Sequence, residues 1–211
     1  SILGDITQQV GGDHVKVTTL VGPDGDPHTF EPSAKDSALL NNADVVVVNG
    51  LGLEGWLDRL VKASGFKGQL VVASTGVATH TLEEDGATVT DPHAWNSAAN
   101  GALYAQNILA GLVKADPADE AALTASGQRY ISQLNQLDSW AKTRFSSIPQ
   151  EKRKVLTSHD AFGYFARAYG VSFMAPQGLS SASEASAAQV APLITPIKPD
   201  DVHVSCLVYP H

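Results

Sequence analysis

The chain has 211 residues, of which 43% are hydrophobic and 17% charged, and its formal net charge is −8. This is the composition of an ordinary soluble globular protein, and the negative charge argues against nucleic acid and anionic membrane surfaces as partners. No apolar run approaches the ~20 residues that span a bilayer, and the single cysteine, Cys206, excludes an internal disulfide and a cysteine-rich metal site.

The first half of the chain predicts alternating helices and strands. Helical spacing at the N-terminus is followed by strand-like alternation at 15–20, and a helix is predicted from about Ser33 to Asn42. The continuous apolar run 45–48 is typical of a strand buried on both faces of a parallel sheet. A helix at 53–63, a strand at 70–72 and a polar loop at 79–86 follow.

The second half predicts a long helix between two lobes. After a helix at 97–113, the stretch 119–147 has no helix breaker apart from Gly127, and its 29 residues would extend roughly 43 Å. A strand near Val155, a helix with Ser158 and Asp160 as possible caps that Gly170 ends, and further elements to about 208 come next. We therefore predict an α/β protein with an N-terminal lobe (1–118), a linking helix (119–148) and a C-terminal lobe (149–211).

Three histidines occupy similar places in this pattern. His28 and His93 each follow Asp-Pro and precede a helical stretch, and His159 lies between a predicted strand and a predicted helix. The separations of 65 residues (28 to 93) and 66 residues (93 to 159) fit one histidine from each of three loops that meet in a cleft. Because neutral imidazole suits zinc, three such ligands with one open or carboxylate position would form a tetrahedral metal site.

Other readings apply to the residues around these motifs. Each histidine alone could instead cap a helix or bond to the backbone. Asp91, Asp160 and Glu31 could fix a histidine tautomer or serve as ordinary helix caps and solvated charges. His80 lies in an acidic loop and is predicted to be solvated, and His14 is predicted to belong to a surface turn.

The three histidine segments, 25–33, 91–97 and 158–170, resemble the metal motifs of the zinc/manganese solute-binding proteins of bacterial ATP-driven (ABC) importers. Their order and spacing match, and so do the long helix after Asp116-Pro117 and the stretch 178–184. The resemblance implies two lobes of parallel sheet with flanking helices joined by one long rigid helix. It also implies that His28, His93 and His159 bind the metal in the cleft between the lobes.

The same resemblance implies a non-enzymatic, periplasmic or membrane-anchored extracellular protein. It would capture a divalent metal, Zn²⁺ first and Mn²⁺ second, and hand it to an ABC permease. The family usually supplies a fourth ligand, an Asp late in the second lobe. Since this chain ends before that region, we expect the second lobe to be incomplete, with no residue in the fourth role.

Two other classes of function remain open. A zinc-dependent hydrolase could use the same three-histidine site to generate hydroxide, with Asp160 or Glu31 as the base. The chain has no nucleophile elbow, no His-Glu-x-x-His helix and no glycine-rich phosphate loop, which favours binding over catalysis. A surface adhesin is the third class, and no residue pattern speaks for it.

Overall fold

The computed structural model describes residues 1–23, 25–84, 86–157 and 160–175. The described helices are α1 (Ile2–Gly11), α2 (Ala34–Asn41), α3 (Leu57–Ser64), α4 (Ala98–Ala115), α5 (Glu120–Ser146) and α6 (Gly163–Tyr169). The described strands are β1 (Val45–Val48), β2 (Gln69–Val72), β3 (Thr81–Glu84), β4 (Ala87–Thr90), β5 (Lys154–Leu156) and β6 (Ser172–Met174). His159 and the elements predicted beyond residue 175 lie outside the described residues.

Three pairs of strands organise the described chain. β1 pairs with β2 and β5 pairs with β6, both in parallel, whereas β3 and β4 form an antiparallel hairpin. Parallel pairs need a crossover, which α3 supplies between β1 and β2 and α6 supplies between β5 and β6. The predicted α/β class and the predicted apolar strand at 45–48 are confirmed.

The main core lies where α4 covers the parallel pair of β1 and β2. Tyr104 and Ile108 of α4 are fully buried there, next to Val71 of β2. Gly111 lets the helix come this close, because a Cβ at that position would overlap the side chain of Val71. α1 and α5 complete the cluster from the other side of α4.

The long helix α5 has 27 residues, one shorter at each end than the prediction. At a rise of 1.5 Å per residue it extends about 40 Å. It packs against α1, α4 and α6. The contact with α6 includes Tyr169, whose Oη accepts from the Ala98 N–H at 3.0 Å and donates to Asp138 Oδ1 at 3.2 Å. None of the described helices combines the length and apolarity needed to cross a membrane.

The prediction of a polar loop at 79–86 is wrong. Residues 81–84 and 87–90 pair as the hairpin of β3 and β4, with Thr81 opposite Thr90. Gly86 takes a positive φ of 78°, as a two-residue hairpin turn requires. The prediction gave more weight to the acidic composition of the segment than to its Asp85-Gly86 dipeptide, which is a turn signal.

Three other boundaries differ from the predictions. The stretch 15–20 forms no strand, because its alternating residues have no ladder partner within the described chain. α3 begins at Leu57 instead of 53, with Trp56 as its N-cap. α6 begins at Gly163 with Phe162 as its N-cap, so Asp160 does not cap it. Its predicted end is confirmed, with Gly170 in the left-handed conformation.

Candidate metal site

The first Asp-Pro-His turn, residues 26–28, holds its main chain on both sides of the proline. The His28 N–H donates to Asp26 Oδ1 at 2.8 Å, and Trp56 Nε1 donates to the Pro27 carbonyl at 2.8 Å. Trp56 itself packs edge-on against Phe30, with ring centroids 4.9 Å apart. The turn therefore presents a half-buried His28 from a fixed backbone.

The second Asp-Pro-His turn, residues 91–93, repeats this construction in the interior. The His93 N–H donates to Asp91 Oδ1 at 2.9 Å, and Asn49 Nδ2 donates to the Pro92 carbonyl at 2.9 Å. His93 is 2% exposed and Asp91 only 1%. His93 follows β4, the second strand of the antiparallel hairpin.

Asn49, fully buried at the end of β1, ties the second turn to the core. Its Oδ1 accepts from Tyr104 Oη at 2.6 Å, and its N–H donates to Glu54 Oε1 at 2.7 Å. Burial raises the pKa of Tyr104 well above its usual range and also raises the pKa of the Glu54 carboxyl. Tyr104 is therefore a neutral hydrogen-bond donor, and β1, α4 and the loop of His93 share one buried polar network.

The two turns bring the imidazoles of His28 and His93 together. Their Nε2 atoms lie 3.4 Å apart, and their ring centroids 5.4 Å apart. Asp91 Oδ1 lies 2.8 Å from His93 Nδ1. Because a carboxylate can only accept, we assign the ring proton to Nδ1, which leaves the lone pair of His93 Nε2 pointing towards His28. A carboxylate that orients a histidine in this way is typical of metal sites.

His80 is also at this site, and the prediction of a solvated side chain is wrong. Its side chain is 7% exposed, and its Nε2 lies 3.5 Å from Asp91 Oδ2. Its ring contacts that of Tyr164, with centroids 4.1 Å apart. The missed signal was the hairpin register, which extends from Thr81 and Thr90 to His80 and Asp91. The Asp91 N–H donates to the His80 carbonyl at 2.9 Å in continuation of that ladder.

The beginning of α6 closes the site from the C-terminal part of the chain. Tyr164 Oη donates to the Asp91 carbonyl at 2.9 Å, and Asn96 Nδ2 donates to the Ala161 carbonyl at 2.7 Å. Burial, and after it the negative charge of Asp91, raises the pKa of Tyr164. The segment that follows His159 therefore lies against the His93 turn.

The structure brings some of the predicted ligands and carboxylates together and not others. His28 and His93 meet, whereas His159 is outside the described residues. Of the carboxylates, Asp91 contacts a histidine ring and Glu31 is exposed. Within the described ranges, no group of three or more His, Cys, Asp or Glu side chains is arranged to hold a metal ion.

Three known proteins compare closely with this chain. The manganese-binding lipoprotein MntA of Halalkalibacterium halodurans is 34% identical over 202 residues, which cover 96% of this chain and 66% of that protein. The iron ABC transporter substrate-binding lipoprotein MtsA of Streptococcus pyogenes serotype M1 is 34% identical over 207 residues, which cover 94% and 66%. The structure of the periplasmic zinc-binding protein TroA from Treponema pallidum superposes with a TM-score of 0.82 at 33% identity, covering 92% of this chain and 70% of that one.

The chain thus spans about two thirds of the length of these curated relatives, 66% in both. A family model described as zinc-uptake complex component A, periplasmic (ZnuA), matches residues 1–209. With nearly every residue matched and the fold shared, the chain belongs to the ZnuA family of periplasmic zinc-uptake components.

Proposed function

We propose that this chain captures a divalent transition metal, with His28 and His93 as two of the ligands and His159 as the third. The observation that carries the proposal is the 3.4 Å separation of the two Nε2 atoms. They come from loops 65 residues apart, and each loop is fixed by its own Asx turn. Two imidazole nitrogens that converge in this way can share one cation.

The same distance favours zinc as the first metal. Zinc–nitrogen bonds of about 2.0–2.1 Å at the tetrahedral angle put two ligand nitrogens about 3.3–3.4 Å apart. The 3.4 Å between His28 Nε2 and His93 Nε2 is therefore the separation that one tetrahedral zinc ion would require. Manganese is the second candidate, since it prefers octahedral sites with more oxygen ligands. The relatives are named for manganese, iron and zinc, so a direct competition between these metals is the relevant measurement.

We propose that the captured metal is delivered to an ABC permease. One relative is named a lipoprotein and another an ABC transporter substrate-binding lipoprotein, and both names support an exported, periplasmic or membrane-anchored location. In this role residues 1–118 and 149–211 are the two lobes and 119–148 the linking helix. Contacts of α5 with α1, α4 and α6 support a linking function for that helix.

We propose binding as the function instead of zinc-dependent hydrolysis. A hydrolase needs a carboxylate base beside a metal-bound water. Glu31, one of the two carboxylates named as a possible base, is exposed, and the buried Asp91 is held by His93 at one oxygen and faces His80 with the other. A family of periplasmic uptake components also favours transport.

Competition with a chromophoric chelator tests the proposal. His93→Ala should lower zinc affinity by more than about a hundredfold, beyond the ~10–100-fold that residues next to ligands contribute. His28→Ala and His159→Ala should do the same. His14→Ala is the control, because His14 is half-exposed and pairs with Asp119 at 2.7 Å.

The parent protein should bind zinc more tightly than manganese or iron(II) in the same assay. A hydrogen bond between the two Nε2 atoms is the competing explanation of their distance. If the parent bound none of these metals, or if His28→Ala and His93→Ala bound zinc as well as the parent, that explanation would stand and metal capture would be wrong.

A further inference from the structure

The two oxygens of the Asp91 carboxylate differ in their hydrogen-bond partners. Oδ1 accepts from the His93 backbone at 2.9 Å and from His93 Nδ1 at 2.8 Å. Oδ2 is buried and has no hydrogen-bond partner among the described residues, and the same is true of His80 Nε2. These two unpartnered atoms face each other at 3.5 Å.

The gap between them is slightly too long for a hydrogen bond and too short for a bridging water. Usual N–H···O distances are about 2.7–3.2 Å, so a small rotation of either side chain would close the contact. A buried oxygen and a buried ring nitrogen that stay unpaired both keep a desolvation cost. The pair is complementary, because imidazole N–H is a donor and a carboxylate oxygen can only accept.

The surroundings hold His80 in this position. Its carbonyl accepts from the Asp91 N–H at 2.9 Å, and its ring lies against Tyr164. Gly163 leaves the space for the pair. A Cβ at that position would overlap His80 Cε1 and would lie 2.7 Å from Asp91 Oδ2. The first residue of α6 therefore has to be glycine for His80 and Asp91 to lie side by side.

We infer that His80 is a positioning residue of the metal site, which acts on His93 through Asp91. This inference rests on the proposed metal capture. His80 Nε2–H donates to Asp91 Oδ2, so that the carboxylate is held at both oxygens and keeps His93 Nδ1 protonated and its ring aimed. A cation on His93 Nε2 draws the Nδ1 proton towards Asp91, and a carboxylate fixed from its far side resists that displacement.

Two substitutions separate positioning from simple packing. His80→Leu fills most of the space without a donor and should lower zinc affinity by about three- to tenfold, less than the ~10–100-fold of residues bonded directly to a ligand. His80→Gln retains an N–H that can reach Asp91, and its affinity should stay within about twofold of the parent. His14→Leu is the matched control, since His14 also pairs with an aspartate but is 42% exposed.

A double-mutant cycle with Asp91→Ala tests the route through the carboxylate. In that background His80→Leu should change zinc affinity by less than about twofold, because the group that transmits the effect is gone. Long-range ¹H–¹⁵N spectra of the metal-free protein give a second readout. They should show His93 in the Nδ1–H tautomer in the parent and in His80→Gln, and a mixture of tautomers in His80→Leu.

The outcomes separate the two proposals. If His93→Ala abolishes zinc binding while His80→Leu binds like the parent and keeps one tautomer, metal capture stands and positioning by His80 is wrong. Equal effects of His80→Leu with and without Asp91 would also overturn it. A loss as large as that of His93→Ala, not rescued by His80→Gln, would make His80 a ligand instead. Absence of zinc binding by the parent would overturn both.

Discussion

The two Asp-Pro-His turns have the same local chemistry in different surroundings. In both, an aspartate oxygen accepts the histidine N–H and a side-chain N–H from elsewhere holds the proline carbonyl. The side chain that holds the proline carbonyl is Trp56, 8% exposed, in the first turn and Asn49, fully buried, in the second. Sequence thus sets the shape of each turn, whereas the contacts of its holder set how firmly it is fixed.

Among substitutions that test this comparison, Asn49→Ala should have the largest effect on stability and zinc binding. It leaves Tyr104 Oη and the Pro92 carbonyl without their partner, and buried groups of this kind cost about 1–3 kcal/mol each. We expect a loss of about 3–5 kcal/mol in the free energy of unfolding, measured in urea, together with weaker zinc binding.

Asn107→Ala is the control for Asn49→Ala. Asn107 donates to the carbonyls of Ala73 and Thr75 at 2.7 and 2.9 Å and makes no described contact with the second turn. Its removal should cost about 1–2 kcal/mol and leave zinc affinity unchanged. Equal effects of both variants on affinity would show that Asn49 acts only through global stability.

Trp56→Phe in the first turn should have a smaller effect on stability and zinc binding. It removes one hydrogen bond and part of a packing contact, so we expect a loss of about 1–2 kcal/mol in unfolding free energy. Zinc affinity should fall less than in Asn49→Ala. Trp140→Phe, at a residue 60% exposed on α5, should change stability by less than about 0.5 kcal/mol. A Trp56→Phe protein with the weaker zinc binding of the two would reverse the proposed ranking of the turns.

The smallest effect should come from the cap that anchors the first turn to α2. Ser33 and Asp36 form a capping box, and the Ser33 hydrogen bonds hold the pKa of Asp36 below its ordinary 3.8. Ser33→Ala should cost about 0.5–1 kcal/mol at pH 7. A lowered carboxyl pKa contributes stability that is present above the unfolded-state value and is lost as pH falls through the folded-state value. The difference between parent and variant should therefore shrink below about pH 3.8.

Denaturant unfolding from pH 7 to pH 3 measures this dependence. Ser139→Ala on α5 is the control, since its hydroxyl bonds to the Asn135 carbonyl within the helix and caps nothing. A pH-independent difference for Ser33→Ala would show that Asp36 does not share in the cap.

Local patterns were enough to predict some elements and not others. The run 45–48, the helix start at about Ser33 and the stop at Gly170 are local signals, and each produced the expected structure. The strand predicted at 15–20 is absent from the described chain because alternation does not supply a ladder partner. The hairpin of β3 and β4 was missed because an acidic composition was given more weight than the Asp85-Gly86 turn.

The site was predictable only in part for the same reason. The Asp-Pro-His pattern marked His28 and His93, and their spacing together with the resemblance gave the expectation that they meet. The burial of His80 depends on Gly163, which is 83 positions away along the chain and matters through the side chain it lacks. No periodicity near His80 encodes that contact.

Three hydrogen bonds join residues 161–169, which include α6, to residues 91–98, and they bear on how long a bound ion would stay. They run from Tyr164 to the Asp91 carbonyl, from Asn96 to the Ala161 carbonyl, and from the Ala98 N–H to Tyr169. At about 1 kcal/mol each, parting the two segments would cost about 3 kcal/mol, so under about 1% of molecules would be open at any moment. A captured ion would leave through that minority, and its escape would be slow until another molecule bound the open form in preference to the closed one.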